Sequence, residues 1–310
     1  MLYQRTLRQR VLGSGVALHS GRTVRFSIQP SAAGSGIRFV RTDLSPWVEI
    51  PATADRVVET RLATTIGHGA ATVGTIEHLM AALHGLGIDN ARIELEGSEV
   101  PILDGSSQPF VELILRNGGT VAQRKPKRFI VIKRSVSVGV ADRWARLEPS
   151  KSFEIDCTID FEHPLISNQA MCFVYSDRAF LTEVARARTF GFVRDVVSMR
   201  AQGLALGGSL DNAIVVDDFS IQNPEGLRWP DEFVRHKVLD TIGDLALLGA
   251  PIVGRYVGYK SGHSLNTELV RVLSEDPRAY EVVEFRQRRD VEIRSLELPT
   301  LGLARLAASV

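Results

Sequence analysis

Apolar residues in this chain recur with two different periods, and both periods occur in each half of it. Val24, Phe26 and Ile28 alternate with polar residues, as do Ala91, Ile93 and Leu95. A period of two is that of a strand with one buried face. Between these runs, residues 75–86 carry apolar side chains at 76, 79, 80, 83 and 86, the stripe of an amphipathic helix. A second helix is predicted at about 107–116. Further on, 129–132 reads as a strand, and Phe153, Ile155, Cys157, Ile159 and Phe161 alternate with Glu154, Asp156, Thr158 and Asp160. Helical spacing returns at about 178–188, 193–202 and 232–248, followed by a strand at 252–259 and a helix at about 265–273. After about Arg286 no period is evident. Helices and strands mixed without strict β–α alternation predict an α+β fold rather than a doubly wound parallel sheet.

With 310 residues and ~150 residues per domain, two domains are expected. The basic stretch from Gly118-Gly119 through Gln123–Arg128 reads as a solvated linker, which divides the chain into 1–124 and 125–310. The segments around His78 and His236 each carry a histidine early and Leu, Ala and Gly late, a faint sign of duplication. Thirty-seven basic against 36 acidic residues leave a net charge of +1, which argues against a nucleic-acid partner. A hydrophobic content of 44% excludes intrinsic disorder. The two cysteines, Cys157 and Cys172, form no disulfide framework and read as small packed hydrophobes. Residues 1–10 are charged with no apolar run behind them, unlike a secretory signal. The longest apolar stretch, about 245–254, falls short of the ~20 residues of a membrane helix. A cytoplasmic protein without a transmembrane segment is expected.

Three places carry the residue types of chemistry. In residues 236–244, His236, Asp240 and Asp244 fall four apart and share one helix face. An imidazole and a carboxylate one turn apart can grip a metal ion, and the same spacing also serves as an ordinary surface pair. Glu77 precedes His78 on the first helix, an order in which a base flanks a metal ligand, as in HExxH proteases. His263 lies in the polar loop Tyr259–Asn266. Period and composition leave each of these with a plain structural alternative.

The wording of longer segments goes further. QRTL and GVALHSG near the start, TIEHLMAALHGLGIDN at 75–90, PILDGSSQPFV at 101–111 and TIDFEHP at 158–164 resemble the zinc-dependent UDP-3-O-acyl-N-acetylglucosamine deacetylases of lipid A biosynthesis. So do ARTFGFVRD at 187–195, LALGGSLDNAIVVDD at 204–218, EFVRHKVLDTIGDL at 232–245 and YKSGHSLN at 259–266. The resemblance runs from about residue 4 to 285.

It implies two α+β domains of similar topology, with helices packed between their sheets, the active site at the junction, and an insert at about 190–216 forming an acyl passage. It implies one Zn2+ per chain on His78, His236 and Asp240, with a fourth position open for water; such a mixed donor set would also accept Fe2+. By the same resemblance Glu77 is the general base, His263 the acid, Asp244 its partner, Thr189 the oxyanion donor, and Lys237 a substrate contact. Leu18, Val193, Val196, Ala205 and Val215 are candidates for the acyl chain, and Phe161 with Asp160 for the uridine. Arg143 stands where the family often has Lys, a place of expected diphosphate contact at which the charge is kept and Arg brings a planar fork. His19, His68, His84 and His163 are read as structural. The implied reaction is hydrolysis of the N-acetyl group of a UDP-acylglucosamine by a monomer. A non-catalytic nucleotide-sugar or acyl-chain binder on the same scaffold is the rival, and intact ligand positions speak against it.

Overall fold

The structure, a computed structural model, describes residues 2–285; the aperiodic tail expected after about 286 lies outside the described residues. The first half comprises β1 (Tyr3–Leu7), β2 (Val11–Val16), β3 (Thr23–Pro30), β4 (Ile37–Arg41), β5 (Val48–Pro51), β6 (Val57–Glu59), β7 (Thr65–His68), β8 (Ala71–Val73), α1 (Glu77–Gly85), β9 (Ala91–Leu95), α2 (Gln108–Arg116) and β10 (Thr120–Pro126). The second comprises β11 (Arg128–Ile132), β12 (Val136–Val140), β13 (Arg143–Glu148), β14 (Phe153–Ile159), β15 (Gln169–Val174), α3 (Asp177–Ala179), β16 (Phe190–Phe192), α4 (Val193–Ala201), β17 (Ile214–Val216), α5 (Glu232–Leu245), β18 (Ile252–Tyr259), α6 (His263–Glu275) and β19 (Tyr280–Glu284).

The chain is α+β. Its first main sheet runs β2-β3-β9-β4-β5, antiparallel except where β4 lies parallel to β9. The second has seven strands centred on β18, which pairs with β11, β13 and β14. One hydrophobic core draws on both sheets and on α1, α2, α5 and α6. Leu79 and Leu239, on α1 and α5, are fully buried, and burial of such a side chain stabilises by about 1.5–3 kcal/mol.

Two expectations need correction. Residues 118–128 are not a free linker. Gly118 and Gly119 take positive φ and turn the chain, and β10 then pairs antiparallel with β1. The basic side chains conceal a strand whose stability comes from its partner. Lys127 is buried, donating to the Gly87 carbonyl at 2.9 Å and pairing with Asp89 at 3.2 Å. The helix expected at 178–188 is one turn, α3, running into a π-type turn at Phe180–Val184. The tertiary packing of buried Phe180 and Val184 overrides the helical period there. Elsewhere the helix spans agree within a few residues.

Helix α1 begins and ends for local reasons. Thr75, just before α1, holds φ 55, an uncommon conformation for a β-branched residue. Its hydroxyl donates to buried Glu99 at 3.1 Å, which also accepts the His19 and Ser20 amides. At the other end Gly87 has φ 65. Its amide returns to the His84 carbonyl and that of Ile88 to the Leu83 carbonyl, the paired bonds of a glycine-terminated helix.

Candidate metal centre

Helices α1 and α5 meet at a glycine. A Cβ built on Gly243 would stand 2.1 Å from the Glu77 carbonyl oxygen, so only glycine permits this approach. The contact brings His78, the second residue of α1, against His236 and Asp240, one turn apart on α5. The His78 Nε2 is 3.5 Å and the His236 Nε2 3.3 Å from the same Asp240 Oδ1. All three residues are buried, with their donor atoms within 4.8 Å of one another.

That Oδ1 is buried and accepts no hydrogen bond among the described residues, which costs on the order of 1–3 kcal/mol when nothing else compensates. Two atoms each about 2.0–2.2 Å from a tetrahedral ion stand ~3.3–3.5 Å apart. The spacing, the orphaned oxygen and the donor types fit a divalent cation held by two imidazoles and a carboxylate. The His236 Nδ1 lies 3.0 Å from the Ala187 carbonyl oxygen, which can only accept. Nδ1 therefore carries the proton and Nε2 keeps its lone pair. Burial pushes the His236 pKa down to about 3, so the ring is neutral, as a ligand must be. Burial opposes the charge on Asp240, yet His236, Lys237 and His263 outweigh it and hold its pKa well below the usual range. The Lys237 ammonium donates to Asp240 Oδ2 at 2.7 Å.

Two titratable groups flank this cluster. Glu77 is buried, and burial raises its pKa; its Oε2 accepts from the Thr64 amide at 3.0 Å. His263 opens α6 rather than lying in the loop before it. Its Nδ1 donates to Asp244 Oδ2 at 3.0 Å. Burial works against the imidazolium, but Asp244, Asp240 and Glu77 together raise its pKa to about 9. Asp244 also accepts from the Thr64 hydroxyl at 2.6 Å and the Asn266 amide at 2.9 Å. Asn266 is held in turn by the Tyr256 hydroxyl at 2.6 Å.

Thr189 sits between chain segments from both halves: its amide donates to the Gly105 carbonyl and its carbonyl accepts from Ile214. The segment 187–189 is anchored by Arg188, itself 2% exposed. Its guanidinium meets Glu232 in the first turn of α5, Glu225 and the Gly226 carbonyl. One buried cation thus fixes both the carbonyl that orients His236 and the residue carrying the Thr189 hydroxyl.

Glu77, His78, Thr189, His236, Lys237, Asp240 and His263 line a cavity of about 590 Å³, together with Leu18, Phe161, Val193, Val196, Ala205 and Val215, whereas Asp244 stands behind His263 and is not among the lining residues. The cavity's far wall is β16, α4 and β17, the segment expected as an acyl passage. Asp160 and Arg143 are not among its lining residues. Asp160 is paired with Lys260 at 2.8 Å. Arg143 is exposed at the start of β13, next to Trp144, whose cross-strand partner is Tyr259. Both therefore stand near the 259–263 turn, outside the enclosed space. Phe190, Phe192, Leu62 and Met199 also line the cavity and went unread in the sequence, because a phenylalanine or leucine facing a cavity has the same pattern as one facing the core. His84, His163 and His68 are not among the lining residues, whereas His19 is.

Known proteins are similar to this chain over nearly its whole length. The family described as UDP-3-O-acyl N-acetylglycosamine deacetylase matches residues 4–275. A protein of Myxococcus xanthus is 54% identical over 301 residues, 97% of this chain and 95% of its own length. One of Anaeromyxobacter sp. is 54% identical over 291 residues, 94% and 95% of the two chains. One of Acidithiobacillus ferrooxidans is 51% identical over 291 residues, 93% and 95%. Each carries the name UDP-3-O-acyl-N-acetylglucosamine deacetylase.

Proposed function

The chain belongs to the UDP-3-O-acyl N-acetylglycosamine deacetylase family, and on that premise we propose that it hydrolyses the N-acetyl amide of a UDP-3-O-acyl-N-acetylglucosamine. The amide C–N bond breaks, a C–O bond to water oxygen forms, and acetate and a free amine leave. The observation that carries this reading is the buried His78–His236–Asp240 cluster opening on an apolar cavity between Glu77 and His263.

We propose that these three side chains hold Zn2+, with Fe2+ the competitor for the same donor set. A divalent ion held there supplies Lewis-acid polarisation of the amide carbonyl and acidifies a water. Glu77 takes the proton of the attacking water. His263, as imidazolium, gives a proton to the departing nitrogen, while Asp244 keeps its ring oriented and charged. Thr189 donates its hydroxyl to the developing oxyanion. Lys237 neutralises the outer oxygen of Asp240 and faces the cavity, where it contacts substrate. Leu18, Val193, Val196, Ala205 and Val215 receive the acyl chain. Phe161, with Asp160 beside it, takes the uridine, and Arg143 reaches the diphosphate from outside the cavity. In this reading 1–124 and 125–310 are the two functional units, the enzyme acts as a monomer, and it works in the cytoplasm, where UDP-sugars are available. No helix among the described residues is long and apolar enough to cross a membrane.

The test is metal analysis of the purified protein together with acetate release from the UDP-acylglucosamine. One equivalent of zinc, with activity lost to a chelator and restored by zinc, is expected. Full activity after complete metal removal would overturn the reading.

A further inference from the structure

Thr64 lies in the segment between β6 and β7, with no charge and no motif to distinguish it, and it is fully buried. Its two polar donors go to two different members of the catalytic set. The amide donates to Glu77 Oε2 at 3.0 Å and the hydroxyl to Asp244 Oδ1 at 2.6 Å. Its carbonyl accepts from Ile76, immediately before α1. One residue thus spans the helix that carries the base and the helix that carries the partner of the acid.

The Asp244 carboxylate explains why this matters. Its Oδ2 serves both His263 and Asn266, so rotation of the carboxyl group would break the bond that orients the imidazole. Among the described residues, Thr64 is the hydrogen-bond donor to Oδ1. A carboxylate bound on both oxygens has its plane set; bound on one alone, it can turn. Resting on the proposed deacetylase reading, we infer that Thr64 is a positioning residue, whose hydroxyl locks the Asp244 carboxylate plane and thereby holds His263 in register with a Glu77 tethered to the same residue.

Thr64→Val keeps the shape and the backbone amide and removes only the hydroxyl. It is expected to lower kcat roughly 10- to 100-fold, the usual cost of losing an outer orienting bond. KM is expected to stay within about twofold and zinc stoichiometry to stay unchanged, because substrate and ligands are not touched. Thr64→Ser keeps the hydroxyl and is expected to hold kcat within about threefold of the parent. A packing role makes the opposite forecast, with Ser impaired and Val intact. If Val prevents folding, Thr64→Ala is compared with Ser in the same way. Val at parental kcat, or Ser and Val equally impaired, overturns the inference. Failure of the parent protein itself to release acetate would instead overturn the deacetylase reading.

Discussion

At the scale of single residues, the site sorts its titratable groups by what surrounds them. His236 is buried and His263 half-buried, both near Asp240, yet their pKa values are driven apart, to about 3 and about 9. Burial dominates the first, and three carboxylates outweigh burial for the second. The first is therefore fit to be a ligand and the second to be an acid. Glu77, raised by burial, must lose its proton to act, so activity rises with pH through its pKa. His263 must keep its proton, so activity falls as pH passes about 9. A bell-shaped profile of kcat/KM is expected. His263→Gln should lose the basic limb and roughly 10²- to 10⁴-fold in kcat, the range for a positioned acid, with zinc retained. Stopped assays from pH 6 to 10 on both proteins check this; a basic limb that persists in the Gln protein removes the assignment.

At the scale of elements, the helix carrying the candidate metal ligands was readable because those residues are local. His236 and Asp240 sit one turn apart in a strongly periodic segment, and Glu77-His78 opens another. Their meeting was not readable from periodicity or spacing, only from the family resemblance, since it depends on Gly243, whose meaning lies in a carbonyl 166 positions earlier (243 − 77). Thr64 escaped for the same reason: its partner Asp244 is 180 positions away, and an isolated threonine carries no pattern. β10 escaped because strand pairing with β1 outweighs its basic composition. Gly243→Ala puts the helix contact to the test. In an exposed helix alanine would gain about 1 kcal/mol over glycine. Here the added methyl meets backbone that cannot rotate away, and overpacking of this kind costs about 1–3 kcal/mol. The Ala protein should melt lower and lose zinc to a competing chelator at least tenfold more readily. Unchanged melting and metal affinity would show that the helices have room to spare.

At the scale of the whole molecule, the site exists only while the two halves stay together, since His78 comes from one and His236 and Asp240 from the other. Outside the metal cluster, the end of α1 is a second place where they are joined. The His84 ring stands edge-on to Phe153 and Tyr175, with centroids 6.2 and 5.1 Å away. The Tyr175 hydroxyl donates to the His84 carbonyl at 2.9 Å. Burial, aided by the Lys127 charge, depresses the His84 pKa to about 3, against about 6.5 in an unfolded chain. The folded protein thus refuses a proton that the unfolded chain accepts. The stability tied to neutral His84 is present above pH 6.5 and drains away as pH falls toward 3. With the ring half-buried rather than sealed, about 1 kcal/mol between pH 7 and 5 is a fair discount on the full linkage. His84→Gln cannot take up that proton, so its melting temperature should fall less from pH 7 to 5 than that of the parent. Measuring metal-free protein with the ligand histidines intact in both variants cancels their own titration from the difference. Equal slopes in the two proteins would show that His84 is solvated enough to titrate normally and that acid weakens the junction elsewhere.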